Sequence, residues 1–594
     1  MLVGAWGAQA GVLLERAAGR RGAQVHRVSE LTMVSPPDLI EGDWCCWLFG
    51  EPEDRGELAA RFLLKAPEGL AAAFGRALAE LGESACELLW GRFVVVMLER
   101  DRCTVARDQL GAQPLVHART AGGLLFSEHE CDLLDLLPRT PDADRLALLQ
   151  WIENGLTPTG RTLYEGVCRL PAGHRLKLDK THTSVEPWWN LRYEDSEEGS
   201  AEALAERMRD ASLAAVGRAA YGSEHPAVKL SGGLDSACVA AGLNANGYAD
   251  GRALAIGGTF SAYAVTDERE LIEATARHTR LPLELVEFDE DSSMLGPAVE
   301  HITRWRVPPG TPNLFLWQPV MARARELSVD RVLDGEGGDE LFGLAPYLIA
   351  DMIRAGRLST AWLLTRLIPG IGSDPDRSMR LRVLRHYGLL PLVPSVVQRR
   401  RERGRAPSSR SLIPPADAQA LIDLDIAGQE NRDGPAWWRF KAESLIDTRD
   451  RLDMGGHFRR EAVEEEIDRR HPFLYDLQLI EAVLRLPPRP QFDPARDRPL
   501  FRDALRGLIP ETVRTRHIKS HFTPLVLAGI QADESELIEP LEHADAPVRA
   551  FVAREALNRK LAVAPNDRAM LGAGSLWRVA IANRWLVSQA GGSS

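Results

Sequence analysis

The chain has no CxxC pair, no Walker-type GxxxxGKS or GxxxxGKT loop and no HExxH helix in its 594 residues. The first absence comes with an odd count of seven cysteines: Cys45, Cys46, Cys86, Cys103, Cys131, Cys168 and Cys238. That pattern argues against a zinc cluster or disulfide scaffold and for reduced thiols in core positions. The missing Walker loop and zinc-protease helix exclude two common routes to phosphate and hydrolytic chemistry. Apolar runs of membrane-spanning length are missing too, since FVVVML at 93–98 is only strand-sized. The opening MLVGAWGAQAGVLLER lacks a basic stretch ahead of its apolar residues, so no secretory signal is expected. Excess positive charge is lacking, and a net charge of −12 argues against a nucleic-acid-coating protein. A cytoplasmic protein without membrane or nucleic-acid partners is the expectation. No sequence repeats are found.

What remains is a globular composition, 45% hydrophobic and 26% charged, in a chain too long for one typical core. Up to about residue 190 the pattern predicts a β-rich domain. Short apolar runs (Trp44–Phe49, Phe93–Leu98, Leu124–Ser127) alternate there with turn clusters, and RLPAGHRLKLD at 169–179 predicts a hairpin. The acidic stretch YEDSEEGSAE at 193–202 reads as a linker into a helix over 201–220. A second domain, 200–594, then alternates strands (227–230, 253–260, 283–288, 329–334) with helical patterns. Such alternation predicts an α/β fold with a parallel sheet and ligands at its C-terminal edge. From about 345 the chain reads as largely helical, and arginines crowd the segment 399–410. A solvated loop and a binding surface both fit that cluster.

The most informative segment is LSGGLDS, 230–236, where a strand meets two glycines and a helix begins. Glycines let a phosphate approach the backbone, and amides at a helix N-terminus attract it. Ser231 and Ser236 add hydroxyl donors, and Asp235 offers a hard oxygen ligand for Mg²⁺. An ordinary strand–turn–helix junction would use the same residue types. A second turn, DGEGGDELFG at 334–343, sets carboxylates among glycines. If both turns lie at one sheet edge, Asp235 and Asp339 can share a metal that bridges phosphate oxygens.

Together SGGLDS and GEGGDELF resemble the synthetase domain of the asparagine synthetase superfamily, whose pyrophosphate loop cleaves ATP between the α- and β-phosphates. HPFLYD (471–476) and FRDALRGLIPETVRTRHIKSHF (501–522) are similar to further segments of that domain. RFVVVMLERDRCTVARDQLGAQPLVHA (92–118) and GLLFSEHECDLL (123–134) resemble its N-terminal glutamine amidohydrolase domain. The resemblance implies an Ntn-hydrolase-like, glutaminase-like sandwich over 1–190 and an ATP-pyrophosphatase-type domain over 200–594. It also implies ATP contacts at Leu230, Ser231, Gly232, Gly233, Leu234, Asp235, Ser236, Ile256, Asp334 and Gly335, with Mg²⁺ on Asp235 and Asp339. Lys519 would stabilise charge at phosphorus and at the acyl carbon. Glu336 and Asp468 are the candidate bases for the attacking amine, with Glu466 an alternative to Asp468. A salt bridge to Arg469 or Arg470 is the other reading of Asp468.

Glutamine-using members of this superfamily have a Cys after the initiator Met, where this chain has Leu2. An N-terminal nucleophile needs its own amine beside it, so Cys45 and Cys46 cannot substitute, and a silent glutaminase domain is expected. Two branches of the superfamily take an intramolecular amine instead: β-lactam synthetases and lasso peptide cyclases. The first have a tyrosine in the acidic turn where this chain has Glu336, which favours the lasso branch. That branch implies a precursor peptide as substrate, with a leader-binding protein and a leader peptidase as partners. An ammonia-dependent asparagine synthetase and a non-catalytic ATP-binding scaffold are the other readings.

Overall fold

The apolar run at 93–98 does not alternate with polar residues because its strand is covered on both faces. It lies in β6 (Leu89–Glu99). Val94, Val96 and Leu98 point into a core shared with Trp6, Leu31, Trp47 and Phe126. Phe93, Val95 and Met97 point the other way, onto Phe74 and Leu78 of the helix Leu70–Leu81.

The computed structural model describes residues 2–21, 23–41, 43–54, 70–288, 293–372, 375–393, 411–428, 432–516, 522–563 and 565–591. Twelve of its strands form two six-stranded antiparallel sheets facing each other across the Trp47 core. The first sheet is ordered β10 (Val167–Arg169), β8 (Val116–Thr120), β9 (Gly123–Ser127), β1 (Val3–Trp6), β3 (Leu31–Met33), β2 (His26–Val28). The second is ordered β12 (Thr183–Pro187), β11 (His174–Leu178), β7 (Arg102–Arg107), β6, β5 (Trp44–Asp54), β4 (Leu39–Glu41). The hairpin predicted over 169–179 is not formed. Its Pro171–Gly173 turn carries the chain from one sheet to the other: β10 pairs with β8, and β11 pairs with β7 and β12. The alternation of HRLKL is a real strand signal, but its hairpin partner comes after it rather than before.

Residues 191–200 form no helix or strand, and the helix Ala201–Ala220 then starts at Ser200, whose side chain accepts from Ala203 N. Five parallel strands follow in the order β15 (Leu283–Glu287), β14 (Leu254–Thr259), β13 (Pro226–Leu230), β16 (Arg331–Leu333), β17 (Asp468–Arg470). The first four match the predicted runs. β17 was not foreseen, because three charged residues carry no apolar alternation.

The two halves dock through buried charge. Arg107 Nη1 lies 2.8 Å from Asp450 Oδ1, Arg169 Nε lies 3.1 Å from Asp453, and Arg459 Nε lies 2.7 Å from Glu128. Arg470 pairs with Glu51 on the same boundary. Apolar packing is continuous across it as well, since Val3, Leu125 and Leu148 join one core with Ile256 and Trp585. Among the described residues, no helix is long and apolar enough to cross a membrane.

Candidate functional site

Leu230 and Leu234 are buried on either side of a short turn and hold it at the C-terminal end of β13. Gly232 within it has φ 72°, a left-handed conformation that favours glycine. Ser236 Oγ accepts from Ser231 N at 3.2 Å and donates to Gly233 O at 3.3 Å, so one hydroxyl pins the turn. Ser231 Oγ lies 3.2 Å from Ser236 Oγ. The carboxylate of Glu268 stands against Gly232 and pairs with Arg516 Nη1 at 2.6 Å, which sets a cation beside this turn.

The acidic turn follows β16. Asp334 Oδ1 accepts from Glu336 N at 3.1 Å and from His471 Nδ1 at 2.8 Å. A β-carbon at Gly335 or Gly338 would collide with Ser236 N or with the Asp235 carboxylate, so these glycines let the two turns touch. The consequence is geometric. Asp235 and Asp339 converge on one guanidinium nitrogen: Arg498 Nη1 lies 2.8 and 2.9 Å from the two Asp235 oxygens and 2.8 Å from Asp339 Oδ1. Burial alone would lower the Arg498 guanidinium, yet the two carboxylates hold it above its ordinary range. Two further buried basic side chains hold the carbonyls of this turn, and burial lowers the Lys441 amine to about 7. Lys441 Nζ donates to Glu340 O at 2.5 Å, and Arg449 Nη2 donates to Gly337 O at 3.3 Å.

Next to this pair runs a polar row on one sheet face. The register sets Lys229 of β13 level with Asp334 just beyond β16 and His471 just beyond β17. Lys229 Nζ is 3.7 Å from Asp334 Oδ2, 3.8 Å from Glu336 Oε1 and 3.8 Å from the centre of the Trp317 ring. One step down the strand, Arg469 contacts Asp334 at 3.4 Å, Glu465 at 3.7 Å and Glu461. Burial would raise the Asp334 carboxyl, but His471, Lys229 and Arg469 outweigh it and hold it well below the usual carboxylate range. For Glu465 burial wins over the Arg469 charge and pushes the carboxyl up to about 8.

Of the residues singled out in the sequence, the structure gathers Ser231, Asp235, Ser236, Asp334, Glu336 and Asp339 into this cleft. Ile256 is the register partner of Lys229 and is buried in the core. Asp468 is not brought to the cleft. Strand alternation turns it to the opposite face, where Arg331 Nε and Arg470 Nε lie 2.7 and 2.8 Å away. Glu466 caps the helix Met454–Glu465 from a left-handed conformation. Lys519, His517, His521 and the arginine cluster at 399–410 lie outside the described residues. Arg498, Lys229, Arg516, Lys441 and Arg449 were not foreseen. Single basic residues in an arginine-rich chain carry no local signal until the fold sets them beside carboxylates.

Comparison with known proteins follows the same division. The asparagine synthase profile matches residues 207–587, more than half of the chain, and the glutamine amidotransferase domain profile matches 73–189. The chain belongs to the asparagine synthase family. Among curated proteins it is similar to a "Putative asparagine synthetase [glutamine-hydrolyzing]" of Mycobacterium bovis and of Mycobacterium tuberculosis. Each is 27% identical over 257 residues, which is 40% of this chain and 37% of the relative. It is also similar to "Amidase chyE" of Penicillium rubens, 27% identical over 301 residues, 46% of this chain and 42% of that protein. The chain thus matches less than half the length of these curated relatives. Among solved structures, a glutamine phosphoribosylpyrophosphate amidotransferase from B. subtilis aligns with a TM-score of 0.23 and 9% identity over 48% of this chain and 81% of that one. That likeness is too weak to bear on the fold.

The family's use of ATP fits the residues present. Asp235 and Asp339 are hard oxygen donors suited to Mg²⁺. Among the described residues no group of three or more His, Cys, Asp or Glu side chains is arranged to hold a metal. A divalent ion on the pair would have its remaining coordination positions open to water or to phosphate oxygens.

Proposed function

We propose that this member of the asparagine synthase family is an AMP- and pyrophosphate-forming ligase. It activates an Asp or Glu side chain of a precursor peptide and closes a macrolactam with the peptide's N-terminal amine, as in lasso peptide cyclisation. The observation that carries the adenylating half is the convergence of Asp235 and Asp339, from two separate turns, on a single cation position at the C-terminal edge of a parallel sheet. The turns Leu230–Ser236 and Asp334–Asp339 would hold MgATP, and Mg²⁺ on Asp235 and Asp339 would neutralise phosphate charge. The peptide carboxylate attacks the α-phosphorus, the bond to the β-phosphate oxygen breaks, and pyrophosphate leaves. The amine then attacks the acyl carbon and AMP departs.

The attacking amine must shed a proton, and we assign its acceptance to Glu336, which is half-exposed on the acidic turn and 3.8 Å from Lys229. Glu336 also stands where β-lactam synthetases have tyrosine, which favours the peptide branch. Release of ammonia from glutamine would call for an activated nucleophile. All seven cysteine thiols are instead raised by burial, as in Cys86, pushed up to about 12, and Cys131, also about 12. This supports an amine that comes from the substrate. A leader-binding protein, a leader peptidase and a cytoplasmic setting complete the proposal.

The test uses purified protein, Mg²⁺, ATP and leader-free peptides with an internal Asp or Glu. ATP–pyrophosphate exchange with a product lighter by one water is the expected result. AMP release only with small amino acid derivatives would transfer the assignment to the β-lactam branch. Asparagine from aspartate and ammonia would return it to asparagine synthesis.

A further inference from the structure

The cation seated between the two metal-binding carboxylates belongs to the chain itself. Arg498 is 8% exposed, and its Nη1 atom alone meets both Asp235 oxygens and Asp339 Oδ1, all at 2.8–2.9 Å. A divalent ion bridging the pair would need that same position. We infer that Arg498 is a stand-in cation that makes metal binding conditional on the nucleotide. It keeps the turns together without ATP and yields the carboxylates when triphosphate oxygens arrive. The inference rests on the adenylating reading of the two turns.

Three observations support it. The first is charge balance. Two carboxylates already neutralised in part by a guanidinium have little attraction left for a free divalent ion. Mg²⁺ that arrives with a triphosphate brings the anion onto which the guanidinium can transfer. The second is ligand count: among the described residues no third acidic, His or Cys ligand joins the pair, which leaves most of a metal's positions open to phosphate oxygens. The third is backbone geometry. Arg498 has φ 49°, a left-handed conformation unfavourable for a residue with a side chain, and it directly precedes Pro499 at the start of the helix Pro499–Ala504. Asp497 holds it there, with Oδ2 at 3.1 Å from Arg498 Nε, while Asp497 Oδ1 accepts from Arg502 Nη2 at 2.5 Å. A strained backbone braced by Asp497 positions this guanidinium at the carboxylate pair.

The experiment follows Mn²⁺ binding to the full chain by electron paramagnetic resonance, with and without ATP, alongside thermal melting. Wild type is expected to bind Mn²⁺ poorly alone and well with ATP. Arg498→Met should bind nucleotide-free Mn²⁺ at least about fivefold more tightly, the lower end of ordinary coupling between sites. Mn²⁺ alone should raise the melting temperature of Arg498→Met and leave that of wild type in place. Arg498→Lys, which keeps the charge, should keep the ATP dependence. Equal nucleotide-free affinity in wild type and Arg498→Met overturns the inference. If Arg498→Met does not fold, wild type decides alone: Mn²⁺ bound equally well with and without ATP overturns it. Failure of the underlying reading looks different. A double Asp235→Asn, Asp339→Asn variant that still binds Mn²⁺ and ATP as wild type does would remove the metal pair, whatever Arg498 does.

Discussion

Asp235 and Asp339 face one cation from two turns that meet only because Gly335 and Gly338 lack side chains. Replacing either by Asn removes a carboxylate charge while keeping its shape. We expect each variant to lose ATP–pyrophosphate exchange by roughly a hundredfold or more, the scale seen when a charge-stabilising group is removed. Lys229 gives a second test. Its ammonium is buried beside Asp334, Glu336 and Trp317, so Lys229→Met removes one of the three basic side chains that face the buried Asp334 carboxylate. Denaturant unfolding should register a loss of about 1–3 kcal/mol, because His471 and Arg469 still face Asp334. The two aspartates were legible in the sequence because their turns carry glycine, serine and acid at fixed spacing. Lys229 was not, because within AVKL it reads as an ordinary strand residue. Only the register beside β16 and β17 shows that it faces acids.

Among the elements, four strands of the parallel sheet were visible in the sequence, and the helix Ala201–Ala220 was visible from the acidic linker before it. β17 escaped because Asp-Arg-Arg is recognisable only when paired with β16, and the turn at 171–173 was misread because a local signal does not say which sheet comes next. The helix Met454–Glu465 packs Glu461 and Glu465 against Arg469 of β17, and that contact has a pH signature. Burial lifts the Glu465 carboxyl from 4.5 to about 8. Between those values the folded chain keeps a proton that the unfolded chain has released, so this group makes stability fall as pH rises through the window. Glu465→Gln has no such titration. Its melting temperature relative to wild type should therefore climb as pH is raised from about 5 to about 8. A difference that stays flat or shrinks would show that Glu465 ionises normally in the fold.

At the scale of the whole molecule, the amidotransferase-type half is joined to the synthetase half by ion pairs that are themselves core. Arg107, 1% exposed, donates to Gln113 O, Leu170 O and Gly111 O as well as to Asp450. Arg107→Met should lower stability by about 3–5 kcal/mol in a denaturant melt, because it removes the donor shared by the Asp450 carboxylate and three backbone carbonyls. The division into two parts was legible from the switch in periodicity near residue 200. The docking was not, since it depends on arginines paired with acids hundreds of residues away. The central claim is that a carboxylate is activated by adenylation for attack by an amine of the same peptide. The direct measurement gives the protein a leader-free peptide whose Asp or Glu carboxylate carries heavy oxygen, with Mg²⁺ and ATP, and weighs the products. The account predicts one heavy oxygen in AMP, free pyrophosphate and a peptide lighter by one water. Heavy oxygen in inorganic phosphate beside ADP, or AMP without label, would contradict it.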